Sequence, residues 1–383
     1  MNRTRASSCA LALLACACSK PDSERARAGA ARSAPADVCG RVVFASTGAD
    51  ERTSIEILAA GAGPSSPVIP AGQRSLFPAA VAPDGRSLLL LSSSPQPDGR
   101  TRDQLALVDL HGLPREASEI GPTGAQLRNP AWSPDGSFIV FESDAESFRD
   151  LYRLQLGSGQ LLRLTDNPEG NFEPAVSPDS QRIAFASSRD GNAEIYVMNA
   201  DGGAPQRLTD SRGDDASPTW SPDGRALAFT SARERARGID VFVLAIDGGE
   251  VRPAVREGSR EGSIIANDLA WSPDGTRLAF TELTPAGGGA VIAIVDPERG
   301  EVIARTRGPG IDEQPAWSPD GAHLVFTRGH GQRSDLFRMR ADASELARLT
   351  DGEGSYWLPR WVADPDCARA QPALPAPAHA GQG

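Results

Sequence analysis

Six carboxylates recur at comparable places in this chain of 383 residues: Glu173, Asp214, Asp215, Asp268, Asp312 and Glu313. Each lies just ahead of a repeated segment that ends in Ser-Pro-Asp, so folding should bring them to one rim. Arg74, Arg128, Asn129 and Gln314 share the setting. Converging carboxylates suit a basic peptide, an amine or a cation, which they attract and concentrate. The plainer reading is solvated loops in a chain whose formal net charge is -11. The same acidity argues against a nucleic-acid backbone as partner.

Covalent chemistry finds little support. No G-x-S-x-G segment is present, and no hydrolase domain follows. The four His are His111, His323, His330 and His379. His323 and His330 fall at opposite ends of one expected strand. No H-x-x-x-H or C-x-x-C pair occurs. The chain is therefore expected to be no enzyme, with no cofactor and no metal. A Ca²⁺ held by Glu173, Asp268 and Asp312 is the observation that would favour a glycan-binding or carbohydrate-active alternative.

The elements that position these residues come from one repeat. AWSPDG occurs at 131–136, 270–275 and 316–321, with TWSPDG at 219–224, AVSPDS at 175–180 and VAPDG at 81–85. The intervals between successive Pro-Asp pairs are 51, 44, 44, 51 and 46 residues. A repeat of this length marks stacked or radial units. In residues 174–209 a short strand from Pro174 to Ser177 leads into a Pro-Asp turn. Three more strands follow, around Ile183–Phe185, Ile195–Val197 and Gln206–Leu208, with an Asp-Gly-Gly hairpin between the last two. Four short antiparallel strands per unit describe a propeller blade. The fold class is all-β: a seven-bladed β-propeller.

Six units carry their own first strand. Residues 41–46 match a second strand instead, Ser54 to Leu58 a third and Pro67 to Pro70 a fourth. The missing first strand is Pro359 to Val362, with Trp361 in register with Trp317. Blade one is thus closed by both ends of the chain, which leaves no free sheet edge. Strand direction puts the Pro-Asp-Gly and Asp-Gly-Gly turns on one face. The second-to-third-strand loops and the inter-blade links, where insertions gather, form the other and the expected binding face. Trp132, Trp220, Trp271, Trp317 and Trp361 share one repeat slot, held by Val81 and Val176 elsewhere, and read as filling between blades. Asp135, Asp179, Asp223, Asp274 and Asp320 read as turn stabilisers.

Taken together, P-x-W-S-P-D-G, the IAF strand, IY-V, DGG and RLT resemble the WD40-like repeats of TolB-type propellers over roughly 39–363. The resemblance implies the propeller fold. TolB differs in having six blades and a preceding α/β domain.

The ends read separately. Residues 1–15 have the form of an export signal: two Arg, then a short apolar run. Leu13-Leu14-Ala15-Cys16 resembles the lipobox of bacterial lipoproteins, which makes Cys16 the lipidated residue, with Cys18 as the competing site. Residues 16–38 read as a flexible tether, 39–367 as the propeller and 368–383 as a disordered Ala/Pro-rich tail. Aligning Val43-Phe44 with Val140-Phe141 puts Cys39 in the slot of Gly136, a turn residue. Cys367 follows the closing strand on the same face, so a Cys39–Cys367 disulfide is expected to replace the missing turn. The combined expectation is a monomeric, lipid-anchored propeller of the bacterial envelope, on the periplasmic side of the outer membrane. It would bind an envelope protein or basic peptide through its loop face.

Overall fold

The structure is a computed structural model. It describes residues 38–362 apart from 39, 49–50, 62, 73, 97–100, 112–116, 123–124, 147, 234–237, 257–263 and 285–288. All described residues fall in the unit that spans 34–383. The expected leader, Cys16, Cys39, Cys367 and the tail lie outside the described residues.

No helix occurs among the described residues, and strands account for the whole architecture. β1 (Arg41–Thr47), β2 (Thr53–Ala59) and β3 (Ser66–Ile69) form a sheet in which β1 also pairs with the last strand, β28 (Ser355–Val362). The next sheet holds β4 (Ser75–Val81), β5 (Ser87–Pro95), β6 (Thr101–Asp109) and β7 (Ala117–Ile120). A third holds β8 (Leu127–Trp132), β9 (Phe138–Ser143), β10 (Asp150–Gln155) and β11 (Leu161–Arg163). A fourth holds β12 (Asn171–Val176), β13 (Arg182–Ser187), β14 (Glu194–Asn199) and β15 (Gln206–Arg207).

Twelve further strands hydrogen-bond as one sheet with three antiparallel runs. These are β16 (Asp215–Trp220), β17 (Ala226–Ser231), β18 (Gly238–Ala245) and β19 (Arg252–Pro253); then β20 (Ile264–Trp271), β21 (Leu278–Thr284), β22 (Gly289–Asp296) and β23 (Glu301–Arg305); then β24 (Ile311–Trp317), β25 (His323–His330), β26 (Arg333–Arg340) and β27 (Ala347–Arg348). Short parallel pairings, Gly238 and Ile239 with Ile264 and Ile265, and Ala290 with Ile311, join the runs.

The core lies between successive four-strand units. The second strand of most units carries a fully buried Phe: Phe44, Phe141, Phe185, Phe229, Phe280 and Phe326. Ile139, Phe141 and Tyr152 pack on Leu89 and Leu105 of the preceding sheet. Val42 and Phe44 pack on Val325 and Leu336, so the first and last parts of the chain share one apolar cluster. β1 and β28 pair from Arg41–Val362 to Thr47–Ser355, and the ring closes through both chain ends, as expected.

The first strands begin earlier than the sequence suggests. β12 starts at Asn171, three residues before Pro174. Proline has no N–H to give the ladder. Pairing breaks between Phe172 and Ala175 in a bulge that takes Pro174 out of the ladder, and it resumes upstream. The same break recurs between Ala216 and Thr219, Asn267 and Ala270, and Glu313 and Ala316, the second of these with Leu269 in the place of proline, so the bulge belongs to the repeat position and proline is tolerated there. The carboxylates expected just upstream of the first strands sit inside them, except Asp214, one residue before β16.

Candidate functional site at the first strands

Two belts of hydrogen bonds tie the first strands together. In the outer belt each repeat Trp donates its indole N–H to a carbonyl of the preceding unit. Trp132 bonds Ala80 O (3.3 Å), Trp220 bonds Ala175 O (3.0 Å) and Trp271 bonds Thr219 O (3.3 Å). Trp317 bonds Ala270 O and Trp361 bonds Ala316 O, both at 2.9 Å. The Trp slot is structural, as its period implied. The turn Asp residues act locally too. Asp135 Oδ1 accepts from Ser133 Oγ (2.6 Å) and Ser137 N (2.9 Å), and these bonds hold its carboxyl below the usual range.

The inner belt runs through the bulges. Asn129, Glu173, Ser217, Asp268, Gln314 and Leu358 occupy one repeat position and all have left-handed φ, between 46° and 59°. That conformation costs a non-glycine residue about 1–3 kcal/mol. The strain is offset because the bulged N–H turns toward the neighbouring unit and finds an acceptor there. Glu173 Oε2 accepts from Ser217 N (2.6 Å) and Ser217 Oγ (3.1 Å). Asp268 Oδ2 accepts from Gln314 N (3.2 Å), and Gln314 Oε1 from Leu358 N (2.8 Å).

The six expected carboxylates therefore divide by task. Asp215 is fully buried and accepts from Ser231 Oγ (2.5 Å) and Arg233 Nη2 (2.8 Å), while burial pushes its carboxyl up. Asp312 is buried and takes a two-pronged pair from Arg328, Nε at 2.5 Å and Nη2 at 2.6 Å. Glu173 and Asp268 each give one oxygen to the bulge belt. Asp214 is exposed and accepts from Ala193 N (3.1 Å). Glu313 is exposed, with no hydrogen bond or ion pair to its side chain among the described residues. Asp268 and Glu313 lie close enough to influence each other. Desolvation raises both carboxyls above the usual range, and the Asp268 charge adds to the rise at Glu313. No ion pair joins either to a cation among the described residues, although the Arg360 charge favours ionised Asp268.

Three features were not singled out from sequence. Glu142 stands in β9 where the other units have Ala45, Leu91, Ala186, Thr230, Thr281 and Thr327. Its Oε1 accepts from Asn129 Nδ2 and Glu173 N, both at 2.6 Å, so Glu142 supplies the acceptor that Asn129 cannot orient. Its Oε2 is buried without a hydrogen bond, 3.6 Å from Arg149 Nε, and desolvation raises the carboxyl. A charged residue in a slot otherwise held by Ala, Thr or Leu was the available signal. Arg360 stands where the other units have Ala or Thr219, and its Nε donates to Ala79 O (3.2 Å). The RLT segment is a clamp: Arg207 and Thr209 hold buried Glu194, and Arg348 and Thr350 hold Asp335.

Among the described residues, no three His, Cys, Asp or Glu side chains converge as a metal site. Asp312 commits both oxygens to Arg328, which leaves the trio Glu173, Asp268 and Asp312 unsuited to a shared cation.

Comparison with known proteins places the architecture. The model of the Tricorn protease N-terminal β-propeller domain matches residues 148–284, and that of the TolB β-propeller domain matches 258–368. No curated protein matches the chain. Among solved structures, TolB from Acinetobacter baumannii is similar at a TM-score of 0.53 and 22% identity, over 86% of this chain and 68% of that one. A puromycin-hydrolyzing peptidase of Mycobacterium tuberculosis aligns at 0.60 and 16% identity, over 85% of this chain but only 56% of its own. An oligogalacturonate lyase of Vibrio parahaemolyticus aligns at 0.58 and 15% identity, over 82% and 87%. At these identities the likeness is one of fold, spread over proteins of different activity. With its Pro-Asp-Gly repeats and four-strand units the chain has the β-propeller fold, and its last third is similar to the TolB β-propeller domain.

Proposed function

We propose that this chain is a seven-bladed, lipid-anchored scaffold of the bacterial envelope that binds a protein or peptide through its loop face without covalent chemistry. The observation that carries the reading is the Asp268–Glu313 pair. Asp215 and Asp312 are paired with Arg, whereas Asp268, which accepts from Gln314 N, and the exposed Glu313 influence each other with no ion pair among the described residues, and burial raises both carboxyls. A basic group of a partner would relieve that repulsion, so the pair favours a cationic ligand and speeds its encounter. The count of seven rests on four four-strand sheets and three four-strand runs within the larger sheet. The anchor rests on the Leu-Leu-Ala-Cys16 sequence, since two acyl chains hold a protein to a membrane where one is marginal.

The test is crosslinking of intact membranes, followed by purification of the chain and identification of what remains attached. Capture of one envelope protein is expected, reduced at least about fivefold by Asp268→Asn with Glu313→Gln, or by 1 M salt, at which the Debye length is about 3 Å. The Cys16→Ser chain is expected in the soluble fraction. Equal capture by parent and double variant at both ionic strengths would overturn the role of the pair.

A further inference from the structure

On the Pro-Asp turn face, neighbouring turns touch at most of the described seams. A Cβ added to Gly224 would lie 3.5 Å from Pro178, and the same approach joins Gly275 to Pro222 and Gly321 to Pro273. Between the β8–β11 and β12–β15 sheets, Asp135 N donates to Ser180 Oγ at 3.1 Å. The seam between the β4–β7 and β8–β11 sheets is different. A Cβ on Gly136 would meet nothing within 4 Å. A cavity of about 550 Å³ opens there, walled by Pro83, Leu107, Trp132 and Leu156, with Asp84 and Asp135 also on its lining.

The molecule shows elsewhere what fills such a place. Arg182, the first residue of β13, holds its guanidinium carbon 4.7 Å from the ring centre of Trp220. Its Nη2 donates to Gly224 O at 3.4 Å and lies 3.9 Å from Asp179 Oδ2. In repeat register, Trp220, Gly224 and Asp179 correspond to Trp132, Gly136 and Asp84. The counterpart of Arg182 is Ser87, the first residue of β5, which also lines the cavity. The aromatic wall, the turn and the carboxylate are thus all present, and the guanidinium is missing.

The geometry points to this seam as a pocket for an arginine side chain of a partner protein, on the face opposite the one proposed above. A guanidinium there stacks on Trp132, as Arg182 does on Trp220. Its aliphatic stem lies against Leu107, Leu156 and Pro83. Two carboxylates are available to it. Asp84 Oδ1 accepts from Arg86 N (2.8 Å), and Asp135 Oδ1 is taken by Ser133 and Ser137. Each leaves its Oδ2 without a hydrogen bond among the described residues. The cation that acts on Asp135, Arg153, is itself committed to Ala200 O (3.0 Å) and Gln155 Oε1 (2.8 Å).

The test uses the exported chain labelled with 5-fluorotryptophan and followed by ¹⁹F NMR, with the Trp132 resonance assigned from Trp132→Phe. The probes are N-acetylarginine amide and the neutral isostere N-acetylcitrulline amide. The Trp132 resonance is expected to shift saturably with the arginine probe and about tenfold more weakly with citrulline, because charge-assisted bonds are the strong ones. Asp84→Asn with Asp135→Asn should weaken binding about 3- to 10-fold. Ser87→Arg should abolish it by filling the pocket from within, as Arg182 does. Asp268→Asn with Glu313→Gln should leave the titration unchanged, which separates this site from the loop-face reading. A Trp132 resonance that does not move, that moves equally with citrulline, or that still titrates in Ser87→Arg would overturn the proposal.

Discussion

Asp312 and Glu313 are neighbours in one strand with opposite surroundings. Asp312 is buried and gripped by Arg328 through two hydrogen bonds. Glu313 is exposed, beside a second raised carboxyl, with no ion pair among the described residues. The residue types are nearly the same, so the difference comes from what lies across the strand. A carboxylate serves the architecture when a guanidinium at or just past the end of the second strand reaches it, as Arg328 reaches Asp312 and Arg233 reaches Asp215, and is available to a ligand when none does. Sequence position alone does not distinguish the two.

The largest expected effect breaks the buried half of this contrast. Arg328→Ala leaves Asp312 as a buried, uncompensated charge and should cost about 3–5 kcal/mol in urea unfolding. A cost below about 1 kcal/mol would mean that Asp312 is hydrated and equivalent to Glu313. A smaller effect concerns the bulge belt. Gln314→Ala removes the acceptor for Leu358 N–H and should cost about 1–3 kcal/mol. Asp268→Asn keeps an oxygen for Gln314 N–H and should cost far less; equal losses would show that charge rather than acceptor geometry matters there. The smallest effect is on the exposed half. Asp268 and Glu313 have raised carboxyls in the folded chain, so the folded state binds protons more tightly than the unfolded one. Their contribution is favourable at low pH and is lost as pH rises through the folded-state range. Asp268→Asn with Glu313→Gln should therefore melt about 1–2 °C higher than the parent at pH 7. The two should converge near pH 4. A double variant that melts lower at pH 7 would show that the pair is neutralised from within.

Much of this arrangement was legible in the residues. The Pro-Asp period located the units, the shared slot identified the Trp as filling, and Trp361 in register with Trp317 disclosed the closing strand. What was not legible depends on partners far apart in sequence. Nothing near Asp312 in the chain marks Arg328 as its partner, because the pairing arises only when β24 and β25 lie side by side. The bulge was hidden for a local reason: a proline in a short apolar strand reads as its beginning, whereas here pairing resumes on its far side. Glu142 was visible only as a charge in a slot held elsewhere by Ala, Thr or Leu. Ser87 stands in a slot with no common residue type, so its meaning came only from comparing its surroundings with those of Arg182.

The pairing of β1 with β28 bears on how the chain reaches its native state in time. Thr47 and Ser355 are partners in the first sheet, so its innermost strand is the last to be made. Until Val362 has emerged, β1 presents an unsatisfied edge and the wall that receives Phe44 is incomplete. Bringing ends about 300 residues apart together costs roughly 5 kcal/mol of loop entropy, recovered only when the final ladder forms. Locking of the ring therefore belongs after synthesis. Until then the chain remains a row of locally paired sheets with one open edge, a form that a truncation before Ser355 would make permanent.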